Sequence, residues 1–295
     1  MWLLLALGSA VFFGLRGALY QWTSQQPMDR NLMLLGVYFT GAFFSLAAAL
    51  LLNQQWNSGA LVGMLMGFFS FIANGSMYKA FSVGKASVVA IITSLPPVVV
   101  VIIAFFAWNE TLNLNQAIAF ILIMAGTLLV RYSSDLSVDQ LKGMHWALLA
   151  TLCFGLNDIF SKQSTRMDAE VFPVLSVMFM TGSLLFLAVW LRERAKRRTV
   201  LPLTPETVEQ EKRKWSIPGT FFWGMTVGLT NLGGMILIWN AFKIGVTGLV
   251  SAVVVTNVLI ILLYARLYLK EKFRPFELIG MGLSIGGIVL LHLLG

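Results

Sequence analysis

The stretch AFSVG at residues 80–84 (Ala80-Phe81-Ser82-Val83-Gly84) returns as AFKIG at residues 241–245 (Ala241-Phe242-Lys243-Ile244-Gly245). The register then holds at one constant offset, with Glu110 falling on Glu271 and Gly126 on Gly287. A further match pairs Phe13-Gly14-Leu15 with Phe154-Gly155-Leu156, each about halfway along the opening apolar run of its half. The chain is therefore an internal duplication, and what is duplicated is a set of apolar runs.

Between polar breaks the runs fall near residues 2–22, 32–52, 59–79, 86–108 and 114–132, and then near 143–163, 171–191, 216–241, 247–269 and 275–294. Each is long enough to cross a hydrocarbon core of ~30 Å as a helix. Of 295 residues, 58% are hydrophobic and 12% charged, whereas a soluble domain is roughly 25% charged. The runs are continuously apolar and lack the two-residue alternation of a barrel, so helices are the way to satisfy the backbone in lipid. The expected fold is an all-α integral membrane protein of ten transmembrane helices. Its two five-helix repeats span residues 1–135 and 136–295, the second carrying a basic loop at 192–215. Five crossings per copy is an odd number, so the second copy enters the membrane in the opposite sense, an inverted-topology repeat.

The net charge of +8 sits mostly in short segments between runs, which fits topology signals and not nucleic-acid binding. Arg30, Lys79, Lys85, Arg131, Lys142, Arg192 to Arg198, Lys212 to Lys214 and Arg266 to Arg274 fall on one side. Only Lys162, Arg166 and Lys243 fall on the other. The positive-inside rule puts the first set in the cytoplasm and both termini on the non-cytoplasmic face of a cell membrane. Within 192–215, Thr204-Pro205-Glu206 reads as the start of a short surface helix. The first run holds Arg16 and lacks a preceding basic segment, so it reads as a span and not as a cleaved signal.

Several chemistries are excluded. One cysteine, Cys153, permits no intrachain disulfide, and His145 and His292 have no partners at metal-ligand spacing. Gly84-Lys85-Ala86-Ser87 is similar to the end of a nucleotide loop, but Lys79 occupies the place of its required glycine. No cofactor and no catalytic set are expected.

Tyr78 to Lys85 running into Ser87, Leu95-Pro96-Pro97, Asn109-Glu110, Gln116 and Gly126 together resemble the drug/metabolite transporter superfamily, in its ten-helix members with two EamA-type repeats. The second copy repeats the pattern through Asn240-Ala241-Phe242, Gly245, Lys270-Glu271, Glu277, Gly280 and Gly287. There Asn257 replaces the proline of the fourth run, which argues against a symmetric kink. The resemblance implies a central cavity walled by spans 1, 3, 4, 6, 8 and 9, with 5 and 10 at the periphery. It implies transport and leaves the cargo open.

Charged groups deep in lipid are costly and normally face a cavity, which singles out Arg16, Asp158 and Lys162. Arg16 occupies the repeat position of Asn157, and Asp158 that of Gly17. Inversion displaces them in opposite directions, leaving an axial gap of ~12–14 Å. That gap suits two ends of one zwitterionic solute better than an ion pair. Equally, Arg16 could snorkel to the interface while Asp158 pairs with Lys162 one turn on. Tyr20 with Gln21, Asn74 with Tyr78, and Asn231 with Trp239 and Asn240 are cavity walls or interhelical glue. Pro96 and Pro97 open a kink beside Thr93 and Ser94. The expected binding set is Arg16, Tyr20, Asn74, Tyr78, Pro96, Asn157, Asp158, Asn231, Trp239 and Asn257. Glu110 and Glu271 read as interfacial structural acids. Gly59, Gly63 and Gly67, Gly224 with Gly228, and Gly282 with Gly286 read as helix-packing ridges.

The expected function is a secondary transporter, exporter or exchanger, of a small polar, amino-acid-like metabolite, working by alternating access. Its expected partners are that solute, a proton or ion gradient and membrane lipid, with the chain a monomer or homodimer. The competing readings are a polyspecific drug or amine exporter, a membrane-embedded metabolite sensor and an enzyme on lipid-linked substrates.

Overall fold

A computed structural model describes residues 1–84, 86–132, 143–200, 215–267 and 274–294. Every regular element among them is helical. The first copy comprises α1 (Trp2–Ser24), α2 (Arg30–Leu51), a 3-10 turn (Ser58–Leu61) leading into α3 (Val62–Val83), the pair α4 (Ala86–Ile92) and α5 (Pro96–Trp108), and α6 (Leu114–Arg131). The second comprises α7 (Met144–Arg166), α8 (Val171–Val200), α9 (Ile217–Ile244), the pair α10 (Thr247–Val255) and α11 (Asn257–Leu267), and α12 (Pro275–Leu294). Local sequence sets the boundaries. Asp29 caps α2 by accepting from Leu32 N at 3.2 Å. Asn113 and Gln116 form a reciprocal capping box on α6 at 2.8 and 3.1 Å. Asn109, at φ 53°, ends α5 in the left-handed region that asparagine tolerates.

Among the described residues nine spans are long and apolar enough to cross a membrane. The tenth, α7, is 23 residues long, or ~35 Å, and it dilutes its apolar content with Asn157, Asp158 and Lys162. Those groups are not turned to lipid: Asn157 and Lys162 are buried inside the bundle. Lipid-facing positions elsewhere are large and apolar, with Phe43, Phe106, Ile121 and Leu184 exposed, the outside-in pattern that a hydrocarbon solvent favours.

The most extensive helix contacts all join one copy to the other. The fifth span packs on the tenth (α6 on α12), the second on the seventh and eighth (α2 on α8 and α9), the third on the sixth and seventh (α3 on α7 and α8) and the first on the eighth (α1 on α9). Exchanging the copies maps this set onto itself, as a pseudo-two-fold relation requires. Small residues make the approach possible. A Cβ on Gly63 or Gly67 would run into the Val174 and Met178 carbonyls of α8, and one on Gly224 into the Met33 carbonyl of α2. Spans five and ten stand apart as a pair, with Gly126 against the Gly280 carbonyl and Ser284.

Both fourth spans are broken. At the first break Ser94 N and Leu95 N reach back only three residues, to Ile91 O and Ile92 O at 3.1 Å, and Pro96 and Pro97 open α5. Prolines have no N–H to give, so carbonyls upstream lose partners, and other groups fill in. Ala90 O accepts from Ser94 Oγ and from Arg131 Nη1, both at 2.8 Å, and Ile92 O from Thr151 Oγ1 at 2.7 Å. The second break needs no proline. Thr256 ends α10, its N–H and hydroxyl both returning to Val253 O at 3.2 and 2.6 Å, and Asn257 starts α11.

Three expectations are corrected. Asn257 does not abolish the second kink, because a threonine hydroxyl back-bonded to its own helix disrupts the ladder there as the prolines do in the first copy. The seventh span does not end at 191 but continues as helix to Val200. Arg192, Glu193, Arg194 and Lys196 are good helix formers that carry the helix beyond the lipid, with Arg194 over the Trp190 ring at 5.2 Å. Gly282 and Gly286 meet no neighbour, and the packing ridge of α12 is instead Gly280, Ser284 and Gly287. Lys85, Lys142, Lys212 to Lys214, the Thr204-Pro205-Glu206 start, Lys270 and Glu271 lie outside the described residues.

Candidate functional site

Polar side chains inside the bundle form two layers, one toward the membrane face where α1 ends, beside Trp22, the other toward the opposite face at Glu110. Helix α1 brings Arg16 into the first layer, eight residues before Ser24, or ~12 Å from that end. Tyr38 lies eight residues into α2, and Asn74 nine residues before the end of α3, so all three sit at one depth. Arg16 Nη1 donates to Asn231 Oδ1 of α9. Its guanidinium lies 4.4 Å from the Phe13 ring centre and 5.7 Å from that of Tyr20. Beside it, Tyr38 Oη and Ser70 Oγ share a hydrogen at 2.5 Å, and Asn74 Nδ2 donates to Tyr38 Oη at 3.2 Å and to Ser70 O at 2.8 Å. Arg30 reaches inward from the start of α2, donating to Asn74 O at 2.8 Å with its guanidinium 3.6 Å from the Tyr78 ring centre.

The second layer lies on α7. Ser251 Oγ of α10 donates to Asp158 Oδ2 at 2.7 Å. Asn157 Oδ1 and Ser161 Oγ are buried and accept or donate no hydrogen bond within the protein. One turn beyond, Lys162 Nζ donates to Phe242 O at 2.7 Å and Gly245 O at 2.9 Å, the carbonyl end of α9. It also pairs with Glu110 Oε1 at 3.7 Å, the one ion pair among the described residues. The Glu110 carboxylate accepts from Thr247 N and Thr247 Oγ1, each at 2.9 Å, at the start of α10. A cation therefore sits on the negative pole of α9 and an anion on the positive pole of α10, and the two are locked together. Arg166 adds its guanidinium over the Trp108 ring at 5.4 Å on the same face.

These bonds fix the spacing of the layers. Lys162 binds Phe242 O, so the two are level. Asn231 lies eleven residues below Phe242, or ~16 Å, and Asp158 four residues below Lys162, or ~6 Å. Arg16 and Asp158 are thus ~10 Å apart along the membrane normal, close to the gap expected from the repeat. Neither is paired with the other, and both parts of the competing structural account fail. Arg16 turns to a buried asparagine instead of snorkelling, and Lys162 ignores Asp158 in favour of Glu110 and two carbonyls.

The other expected site residues divide. Tyr20 and Asn231 join Arg16, and Asn157 flanks Asp158. Pro96 lies beside this region through its carbonyl, which approaches Gly155. Asn74 spends its amide on Tyr38 and Ser70 and works as interhelical glue, while Tyr78 is largely exposed beneath Arg30. Trp239 lies deeper in the packing. It is 2% exposed in the central core, its Nε1 donating to Ser164 Oγ at 2.9 Å, so its ring fills space between α7 and α9. Asn257 marks the second break. Sequence reading missed Arg30, Tyr38, Ser70 and Ser251 as members of the layers. One signal existed, since Ser70 occupies the repeat position of Asn231.

Ten spans in two copies, with charges gathered inside the bundle and lipophilic side chains outside, define a polytopic helical membrane protein built on a duplicated carrier-like scaffold. The chain belongs to the EamA-like transporter family, whose family model matches residues 1–132 and again residues 141–293. Among solved structures 29 chains match. One, described only as "Crystal structure of protein", aligns with a TM-score of 0.76 over 99% of this chain and 96% of its own length. At 14% identity it shows a shared fold and nothing of the cargo. No curated protein matches the chain.

Proposed function

We propose that the protein is a secondary carrier for a small polar solute with separated charges, amino-acid-like in type, working by alternating access of two inverted repeats. The observation that carries this reading is the pair Arg16 and Asp158. They are opposite charges on different copies, ~10 Å apart in depth, each held by a neutral partner and not by a counter-ion. Charges left unneutralised inside a bundle are costly and are characteristic of substrate and ion pathways. A guanidinium fork suits a carboxylate or phosphate, and a carboxylate suits an ammonium group.

The two layers also suit alternation. The Glu110 face is fastened by Lys162, Glu110 and Thr247, whereas the opposite face is closed by Trp22, Trp215 and Trp223, with ring centres 4.9 to 6.4 Å apart. A solute binding between the layers could be released to either side as one closure yields. The excess of basic residues on the Trp22 side supports an orientation in which that face is cytoplasmic, in a cell membrane. Energy is expected from an ion or solute gradient.

The test is reconstitution in liposomes loaded with pooled radiolabelled amino acids, amines, sugars and nucleotides, with protein-dependent efflux measured with and without a pH gradient. Efflux of a zwitterionic class, lost in Arg16→Gln and in Asp158→Asn protein that still inserts, is the expected result. Wild-type flux in both variants overturns the assignment of these residues. Flux of no class at all, from protein shown to be folded, overturns the carrier reading in favour of a sensor.

A further inference from the structure

Arg16 is not the only cation in its layer. Arg30, at the start of the next helix, sends its guanidinium inward to Asn74 O, from the membrane face on which the helix of Arg16 ends. Tyr20 lies one turn past Arg16 on α1, its ring centre 5.7 Å from the Arg16 guanidinium. Among the described residues, neither guanidinium lies within ion-pair distance of a carboxylate. Asp29, the neighbouring acid, directs an oxygen to Leu32 N as the cap of α2. What holds the two cations is neutral: an amide oxygen, a backbone carbonyl, and the faces of Phe13, Tyr20 and Tyr78.

Two like charges in a partly desolvated layer repel each other, and ring faces and amide oxygens offset that only in part. Each guanidinium carries five donors in a planar fork, and among the described residues each shows one protein hydrogen bond. The arrangement is a preformed receptor for negative charge, sequestered at Arg16 and reachable from outside at Arg30, where Tyr78 is exposed.

We propose that Arg16 and Arg30, backed by Tyr20 and Tyr78, form a two-arginine anion site on the Trp22 side of the bundle that takes a carboxylate or phosphate group. This rests on the carrier reading and deepens it. The solute's anionic group docks at Arg30 and passes to Arg16, so the preferred cargo carries an acidic group whether or not it also carries an amine. A phospholipid headgroup offers the same chemistry at the exposed end, and the test separates the two sources.

The experiment follows thermal unfolding of the full chain, purified in a neutral detergent, by tryptophan fluorescence during titration with sodium phosphate, sodium citrate, or sodium chloride at matched ionic strength. Phosphate and citrate are expected to raise the midpoint saturably in the millimolar range, and chloride is not. Arg16→Gln and Arg30→Gln should each weaken both anions by about tenfold, the loss expected for a charge-assisted hydrogen bond. Arg192→Gln, on the solvated end of α8, should change nothing. Arg16→Lys and Arg30→Lys keep the charge and lose the fork, and they stand in for any glutamine variant that fails to fold. Stabilisation no greater than with chloride, or unchanged affinity in the Arg16 and Arg30 variants, overturns the proposal.

Repeating the titration in nanodiscs with and without phosphatidylglycerol identifies the source. Competition by that lipid, abolished in Arg30→Gln, assigns the outer half of the site to a headgroup phosphate, and its absence leaves the whole site to the solute. Flux without anion stabilisation removes the site and leaves the carrier; anion stabilisation without flux does the reverse.

Discussion

Replacing Lys162 with methionine should open the Glu110 face. Lys162 is 8% exposed, and in the wild type it gives two hydrogen bonds to the end of α9 and one ion pair to Glu110. Methionine fills a similar volume with none of these. Removing one partner of a buried pair costs roughly 3–5 kcal/mol when the other is stranded. Here Glu110 keeps Thr247 N and Thr247 Oγ1 as donors, and the Phe242 and Gly245 carbonyls lose a charged donor, so ~2–3 kcal/mol is the better figure. At 1.4 kcal/mol per decade, the open fraction on that face should rise by roughly 30- to 150-fold.

The readout is a cysteine at Ser161, whose hydroxyl is buried without a protein partner, in a Cys153→Ala background. Its rate of modification by a water-soluble maleimide reports the population of open states when reclosing is fast. Lys243→Gln, on the same face but exposed, is the control and should leave the rate alone. A Lys162→Met protein that is folded, monodisperse and modified at the wild-type rate would refute the reasoning, since the lock would then contribute nothing to closure.

Three further outcomes are expected. Gly126→Leu should lower the unfolding midpoint sharply or block folding, because its side chain would strike the Gly280 carbonyl and Ser284, whereas Gly282→Leu, facing open space, should unfold as the wild type does. Arg131→Met removes a donor to Ala90 O and should destabilise the broken fourth span by ~1–3 kcal/mol, measured by chemical denaturation in detergent; Arg131→Lys should recover part of this. Thr151→Val takes the donor from Ile92 O at the same break and should cost ~1 kcal/mol in that assay, without altering solute affinity in the liposomes.

The spans were readable because hydropathy records the solvent directly, and each run found by its apolar length became a helix or a broken pair of helices. What escaped was decided by distant partners. Lys162 sits one turn from Asp158, and local spacing favours a pair, but the ends of α9 and α10 present an oriented carbonyl pole and a bound carboxylate that spacing along α7 cannot reveal. Trp239 carries an amphipathic ring that reads equally as wall or core, and only the position of Ser164 decides between them. The second break is hidden because no proline marks it, although Thr256 carries a hydroxyl able to compete with its own helix. Arg30 was absorbed into the topology count, which treats a basic residue at a helix end as a label and not as a side chain long enough to reach inward.

The pairing of spans across the copies bears on what folds as a unit. Spans one, two, three and five each bury their closest-packed face against the other copy, so a chain of five spans inserted alone would leave those faces, glycines included, to lipid. The repeat divides the sequence in the middle, but not the folding unit. A five-span chain of this kind would need a second copy to supply the missing faces, and here that copy arrives on the same polypeptide, so its supply does not depend on concentration.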